Sequence, residues 1–231
     1  MQIPAPLQPS TRILLGPGPS DAHPAVLRAM VNPLMGHLDP EFVSIMVQVQ
    51  EMLRGVLKTK NKVTLPISAT GMAGMECCLA NLLEAGDKVV VCAMGFFGQR
   101  MIDVAGRTGA VVTTLQAPWG KTFSVDEISE TVAKVKPKVL GLVHAETSTG
   151  AMQANIQEIA NICHLHGTLL VVDAVTSLGC IELDIDEWGV DAVYSCSQKG
   201  LGCPPGLSPI SFSERAVEVI KNRKTKVQSW Y

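Results

Sequence analysis

Lys199, Asp173 and a small-residue turn at 68–76 are the parts of this sequence with the clearest reactive potential. Lys199 lies in YSCSQKGLGCPPG (194–206), just past an apolar run and among small residues. Partial desolvation there favours the neutral amine, a nucleophile able to trap an aldehyde carbon. Taken singly, a lysine is more often a solvated surface group. Asp173 ends the apolar run of TLLVVDAV (168–175), where a carboxylate needs a hydrogen-bonding or cationic partner. A protonated heterocyclic nitrogen is one such partner, and a helix N-cap or turn aspartate is the plainer alternative. SATGMAGME (68–76) follows the short apolar KVTLPI and leads into ECCLANLLEAG. A small-residue turn into a helix start aims free backbone N–H groups and a positive dipole end at one spot, which suits a phosphate cradled by Thr70, Gly71 and Met72. The plainer alternative is a tight strand-to-helix turn.

In that order along one chain, the three make a set: a phosphate grip, a carboxylate for a pyridinium nitrogen and an amine for a Schiff base. Those are the requirements of pyridoxal 5'-phosphate.

The elements that must position them follow from hydrophobic period. KVVVCAM (88–94), AVVTTL (110–115), KVLGLV (138–143), TLLVVDAV (168–175), DAVYSC (191–196) and LSPISF (207–212) are rich in β-branched residues and are expected to be buried strands. Asp39 before Pro40 predicts an N-cap and first helical residue, and Phe42, Ile45, Met46, Val49, Leu53 and Val56 follow at helical spacing. Ser124 with Glu127 predicts a capping box ahead of Val125, Ile128, Val132 and Val135, while Ile156, Ile159, Ala160 and Cys163 form a stripe ended by Gly167. Strands alternating with helices predict an α/β fold, a mostly parallel sheet of the seven-stranded type sandwiched by helices. A single domain is expected over 21–231, preceded by an N-terminal extended segment at 1–20.

Composition narrows the function classes. The chain has 231 residues, 47% of them hydrophobic and 17% charged, enough to bury a substantial core. A formal net charge of −2 excludes a strongly basic, nucleic-acid-like balance, and no apolar stretch is long enough for a membrane span, so neither nucleic acid nor membrane is expected as a partner. The seven cysteines contain no C-x-x-C pair and mostly interrupt apolar runs, which predicts buried free thiols, no metal and a reducing compartment. A cytoplasmic location fits, with peroxisome and mitochondrion left open.

The ordered motifs LLGPGPS (14–20), GHLDPEF (36–42), ISATGMAGME (67–76), LLEAGDKVVV (82–91), GFFGQRM (95–101), HAETSTG (144–150), VVDAVTSLG (171–179) and SQKGLGCPPG (197–206) give the chain a family likeness. It resembles class V, fold-type I pyridoxal-phosphate-dependent aminotransferases, in the alanine–glyoxylate and serine–pyruvate or serine–glyoxylate group. The resemblance implies transamination between a small amino acid, alanine or serine, and a 2-oxo acid such as glyoxylate or pyruvate, in a homodimer. It assigns Lys199 as the Schiff-base and proton-transfer residue, Asp173 to the pyridine nitrogen and Phe97 to stacking on the ring. It also assigns Thr147 to the ring oxygen, and Gln198, with Thr70, Gly71 and Met72, to the phosphate. Met72 stands where some relatives carry a polar side chain, so the grip would rest on backbone N–H groups and Thr70. His144 is expected to be structural at least as readily as catalytic, and His164 and His166 are expected to face solvent or cap a helix.

In relatives a smaller C-terminal domain supplies the arginine for the substrate carboxylate; that domain is expected to be absent, as in a truncated product. Two rival readings are a cysteine desulfurase, which would need a mobile cysteine and typically a histidine in place of Phe97, and a non-catalytic fragment.

Overall fold

The computed structural model describes residues 5–231, so the first four residues of the extended segment lie outside it. The described part of that segment has no regular structure as far as residue 20. Helices α1 (Pro24–Ala29) and α2 (Pro40–Leu57) follow, then β1 (Val63–Ile67), α3 (Gly71–Leu82), β2 (Lys88–Ala93), α4 (Phe96–Arg107) and β3 (Val111–Gln116). The chain continues through α5 (Val125–Val135), β4 (Val139–Val143), α6 (Ile156–Leu165), β5 (Leu169–Asp173), β6 (Ala192–Tyr194), β7 (Ser208–Phe212) and α7 (Glu214–Lys221).

The seven strands form one sheet in the order β1-β7-β6-β5-β4-β2-β3. β3, β2, β4, β5 and β6 pair in parallel, and β7 runs against both of its neighbours, β6 and β1. Alternate residues of the central strands enter two separate cores, as the two-residue strand period requires. Val90, Cys92, Leu140, Leu142, Leu170 and Val172 pack with Ile128, Val132, Ile156 and Ile159 of α5 and α6. Val89, Val91, Val139, Val171 and Tyr194 pack on the other face with Met75, Leu79, Met101 and Ala216 of α3, α4 and α7. The α/β class and the mostly parallel, helix-sandwiched sheet therefore stand as the strand pattern predicts.

Local stop and start signals are realised in detail. The Asp39 side chain accepts from Glu41 N–H at 2.8 Å ahead of Pro40. The Ser124–Glu127 capping box is complete, and Gly167, past the end of α6, adopts φ +69°.

Two expectations need correction. The strand from AVVTTL is not buried: β3 is the sheet edge, with one neighbour and partly exposed side chains. The stripe along α2 forms the expected single helix, of which only Leu53 and Leu57 are buried while Ile45 and Val56 stay exposed. Of the cysteines, all free, Cys180 is exposed and Cys203 half-buried, since they lie in the loops that follow β5 and β6 rather than in strands or helices.

Candidate active site

The loops that follow β1, β2, β5 and β6 converge at the carboxyl edge of the sheet, where open α/β sheets hold ligands. They enclose a cavity of about 180 Å³ lined by Thr70, Gly71, Met72, Met75, Phe97, Asp173, Val175, Tyr194, Cys196, Gln198 and Lys199. Seven of the eight residues singled out in the sequence thus meet at one place. The eighth, Thr147, is not among the lining residues; its hydroxyl pairs with that of Thr176 at 2.5 Å, just past Asp173 in the neighbouring loop.

Asp173 is 2% exposed. Its Oδ2 accepts from the Tyr194 hydroxyl at 2.8 Å and its Oδ1 from Val175 N–H at 2.8 Å. Burial pushes its carboxyl up to about 6, against the opposing pull of those two donors. Among the described residues no lysine, arginine or histidine forms an ion pair with it.

At the first turn of α3 the N-cap, Thr70, makes no side-chain cap bond, so the leading N–H groups of the helix are not capped from within. Gln198, which lines the same cavity, has its Oε1 buried without a hydrogen-bond partner. Free backbone donors, an orphaned polar atom, a buried carboxylate without a cation and a lysine together fit a small anionic heterocycle with an aldehyde, which tests the pyridoxal phosphate expectation on this chain's own groups.

The surroundings of Lys199 were not foreseen. Its Nζ donates to Pro17 O at 2.5 Å, and a Cβ on Gly18 would collide with the lysine side chain. Ser20 fastens the same N-terminal loop: its N–H donates to Gln198 O at 2.8 Å and its hydroxyl to Lys199 O at 2.8 Å. LLGPGPS was visible as a motif, but nothing local in it indicates a contact 182 positions away. Tyr194 and Glu146 were also missed, although a tyrosine or glutamate inside an apolar-flanked run is itself an indication of a buried polar role.

His144 points to the other face of the sheet, edge-on to Trp188 with ring centroids 5.5 Å apart. Burial holds its imidazole down at about 4, so it is a neutral core group, away from the cavity. His166 caps α6, whereas His164 does more than face solvent: its Nε2 lies 3.4 Å from the buried carboxylate of Asp191.

The aminotransferase class-V family model matches residues 14–227. The chain belongs to the class-V aminotransferases. Among class-V relatives, the alanine–glyoxylate aminotransferase of Drosophila melanogaster is 43% identical over 226 residues, 98% of this chain and 57% of that protein. The (S)-ureidoglycine–glyoxylate transaminase of Bacillus subtilis is 40% identical over 213 residues, 92% of this chain and 51% of that one. A crystal structure of an alanine–glyoxylate aminotransferase from Nostoc sp. superposes with a TM-score of 0.97 at 50% identity, covering 100% of this chain and 60% of its own. The chain thus spans a little over half the length of the class-V proteins it matches.

Proposed function

We propose that this chain carries the pyridoxal-phosphate site of an aminotransferase that exchanges an amino group between a small amino acid, alanine or serine, and a 2-oxo acid such as glyoxylate or pyruvate. The observation that carries the reading is Asp173: a buried carboxylate without a cation of its own, facing a cavity that also holds Lys199. When bound, pyridoxal phosphate supplies an aldehyde carbon and an electron-withdrawing ring. Asp173 holds a proton on the ring nitrogen, and that positive charge in turn keeps the aspartate ionised, each lowering the other's burial cost. Lys199 Nζ would hold the cofactor at its aldehyde carbon and would move a proton to and from the substrate α-carbon. The uncapped N–H groups of Gly71 and Met72, with Thr70 and Gln198, hold the phosphate. Phe97, in the cavity wall, would be the stacking ring, and Thr147, whose hydroxyl pairs with that of Thr176, would serve the ring oxygen.

We place the cofactor-binding domain at 21–231, with the segment at 1–20 supplying the Pro17–Ser20 loop. A homodimer accounts for the exposed Leu15, Leu34, Leu38, Val43 and Val47 of the N-terminal region and α2. No helix among the described residues is long and apolar enough to cross a membrane. The free thiols suit a reducing compartment, the cytoplasm first. A desulfurase is not favoured: Cys196, the cavity's cysteine, has its thiol pushed up by burial, the reverse of a reactive thiolate, and the aromatic wall is phenylalanine.

The test is borohydride reduction after incubation with pyridoxal phosphate, followed by peptide mass spectrometry. A single pyridoxyl adduct on Lys199, lost in K199A, is expected, as is alanine- and glyoxylate-dependent amino transfer without sulfide release from cysteine. Adducts scattered over surface lysines would sink the reading and leave a non-catalytic fragment.

A further inference from the structure

α4 begins without a cap of its own. Its N-cap residue is Gly95, which has no side chain to satisfy the free N–H groups of the first turn. The acceptor comes instead from Glu146, in the loop after β4 and 1% exposed. Glu146 Oε2 accepts from Phe97 N–H at 3.2 Å and Gly98 N–H at 3.1 Å. Its Oε1 accepts from Ser148 N–H at 3.1 Å and the Ser148 hydroxyl at 2.7 Å, while Ser148 Oγ accepts from Phe96 N–H at 2.8 Å. Every polar contact of this buried carboxyl group thus goes either to the first turn of α4 or to Ser148 in its own loop, and a negative group at a helix start is favoured by the helix dipole. Gly95 is glycine because any Cβ there would collide with Glu146 Cγ and Ser148 Oγ.

The location matters. β2 is followed in sequence by the edge strand β3 on one side and in the sheet by β4 on the other, so the loops after β2 and β4 part at a topological switch point. Phe97 lies in the first turn of α4, directly after the first of these loops, and Thr147 on the second. We propose that Glu146 is a positioning residue: by capping α4 from across the switch point it sets the aromatic wall, Phe97, at a fixed height over Asp173 and ties Thr147 to the same frame. The inference rests on the pyridoxal phosphate reading of the cavity. It gives Glu146 no contact with substrate or cofactor; the residue acts through Phe97 and Thr147.

The experiment uses E146Q in the full chain, which keeps the side chain's shape but turns one acceptor into a donor facing N–H groups. Amide hydrogen exchange is followed at Phe97 and Gly98, with the dissociation constant of pyridoxal phosphate and the visible circular dichroism of the bound cofactor measured in parallel. We expect exchange at those two amides to speed up by about 10-fold or more, as for loss of a hydrogen bond to a charged group. Cofactor binding should weaken by roughly 10-fold and the dichroic band, which depends on ring orientation, should change, with exchange in β4 and β5 unaltered. Should E146Q be insoluble, S148A removes one of the carboxylate's partners and the cap on Phe96 and should give the same signature more weakly. Unchanged exchange at Phe97 and Gly98 overturns the proposal. So does faster exchange with an unaltered affinity and dichroic band, which would make Glu146 a stabilising cap and nothing more. A wild-type chain that takes up no pyridoxal phosphate overturns the underlying reading, and this inference with it, before any substitution is made.

Discussion

Asp173 and Asp191 sit at opposite ends of two adjacent strands, equally hidden from water, and are treated in opposite ways. Asp191 precedes β6 at the amino edge of the sheet and is 1% exposed. Arg215 Nη1 donates to both of its oxygens at 3.1 Å, the Ser213 hydroxyl to Oδ1 at 2.9 Å and Leu170 N–H to Oδ2 at 3.0 Å. It ties β5, α6 and α7 together. Asp173, at the carboxyl edge, receives one phenol and one backbone N–H, and burial lifts its carboxyl to about 6. A fold that neutralises one buried aspartate so fully has the means to neutralise the other. The edge where it does not is the edge with the cavity, which is the contrast the proposed cofactor site rests on.

Exchanging the two roles by mutation gives the largest effect. Asp191→Ala leaves Leu170 N–H and the Ser213 hydroxyl without their acceptor and removes the carboxylate facing Arg215, and should cost about 3 kcal/mol in urea unfolding. Asp173→Asn should leave the cofactor-free chain as stable as before or more so and, under the proposed function, lower the amino-transfer half-reaction by about 10²- to 10³-fold, as when one preorganised electrostatic group is removed. A D173N chain that unfolds more readily than D191A would end the distinction.

The pH dependence of stability tests the same contrast. Asp173 has a folded value of about 6, raised from 3.8. Between those limits the folded chain keeps a proton that the unfolded chain has lost, so its contribution is full below about pH 4 and is lost as pH rises through 6. His144 has the reverse sign: its folded value of about 4 lies below 6.5, so its contribution is present above pH 6.5 and is lost as pH falls through 4. At about 1.4 kcal/mol per unit each spans about 3 kcal/mol, and the two slopes largely cancel. In cofactor-free D173N, chemical denaturation from pH 4 to 7 should show the His144 rise alone; an unchanged profile would show that Asp173 carries no shift.

A smaller effect is expected for Tyr194→Phe, which removes the donor to Asp173 Oδ2. The carboxylate loses a stabilising bond, so the carbon-13 titration midpoint of Asp173 should move up further, by about one unit. Smallest is Ser20→Ala, which loosens the loop that presents Pro17 to Lys199. It should cost about 1 kcal/mol of loop docking and change the rate of Lys199 trapping by a few-fold, seen by timed borohydride quenching.

Much of the cavity was legible in the chain because its parts are local. Thr70–Met72 reads as a turn into a helix, Asp173 as a polar residue where an apolar strand ends, and Lys199 as a cation among glycines and prolines. Phe97 and Gln198 came from the family likeness and also line the cavity. The parts that stayed hidden, Glu146, Tyr194 and the Pro17–Ser20 loop, owe their roles to groups 21 to 182 positions distant. α2 shows the same limit for packing: its apolar period makes a helix, but the period says nothing of how much of that face another part of the chain covers.

The residue order alone therefore establishes the helices, their caps and the runs that become strands, since each depends on side-chain shape and backbone hydrogen bonding within a turn or two. Strand order, the reversal of β7 and the edge position of β3 arise only when non-neighbouring segments compete for the same partners. The same assembly leaves Asp191 with an arginine and Asp173 without one. Burial and charge compensation are properties of what surrounds a group in space, and a group's neighbours along the chain do not specify them.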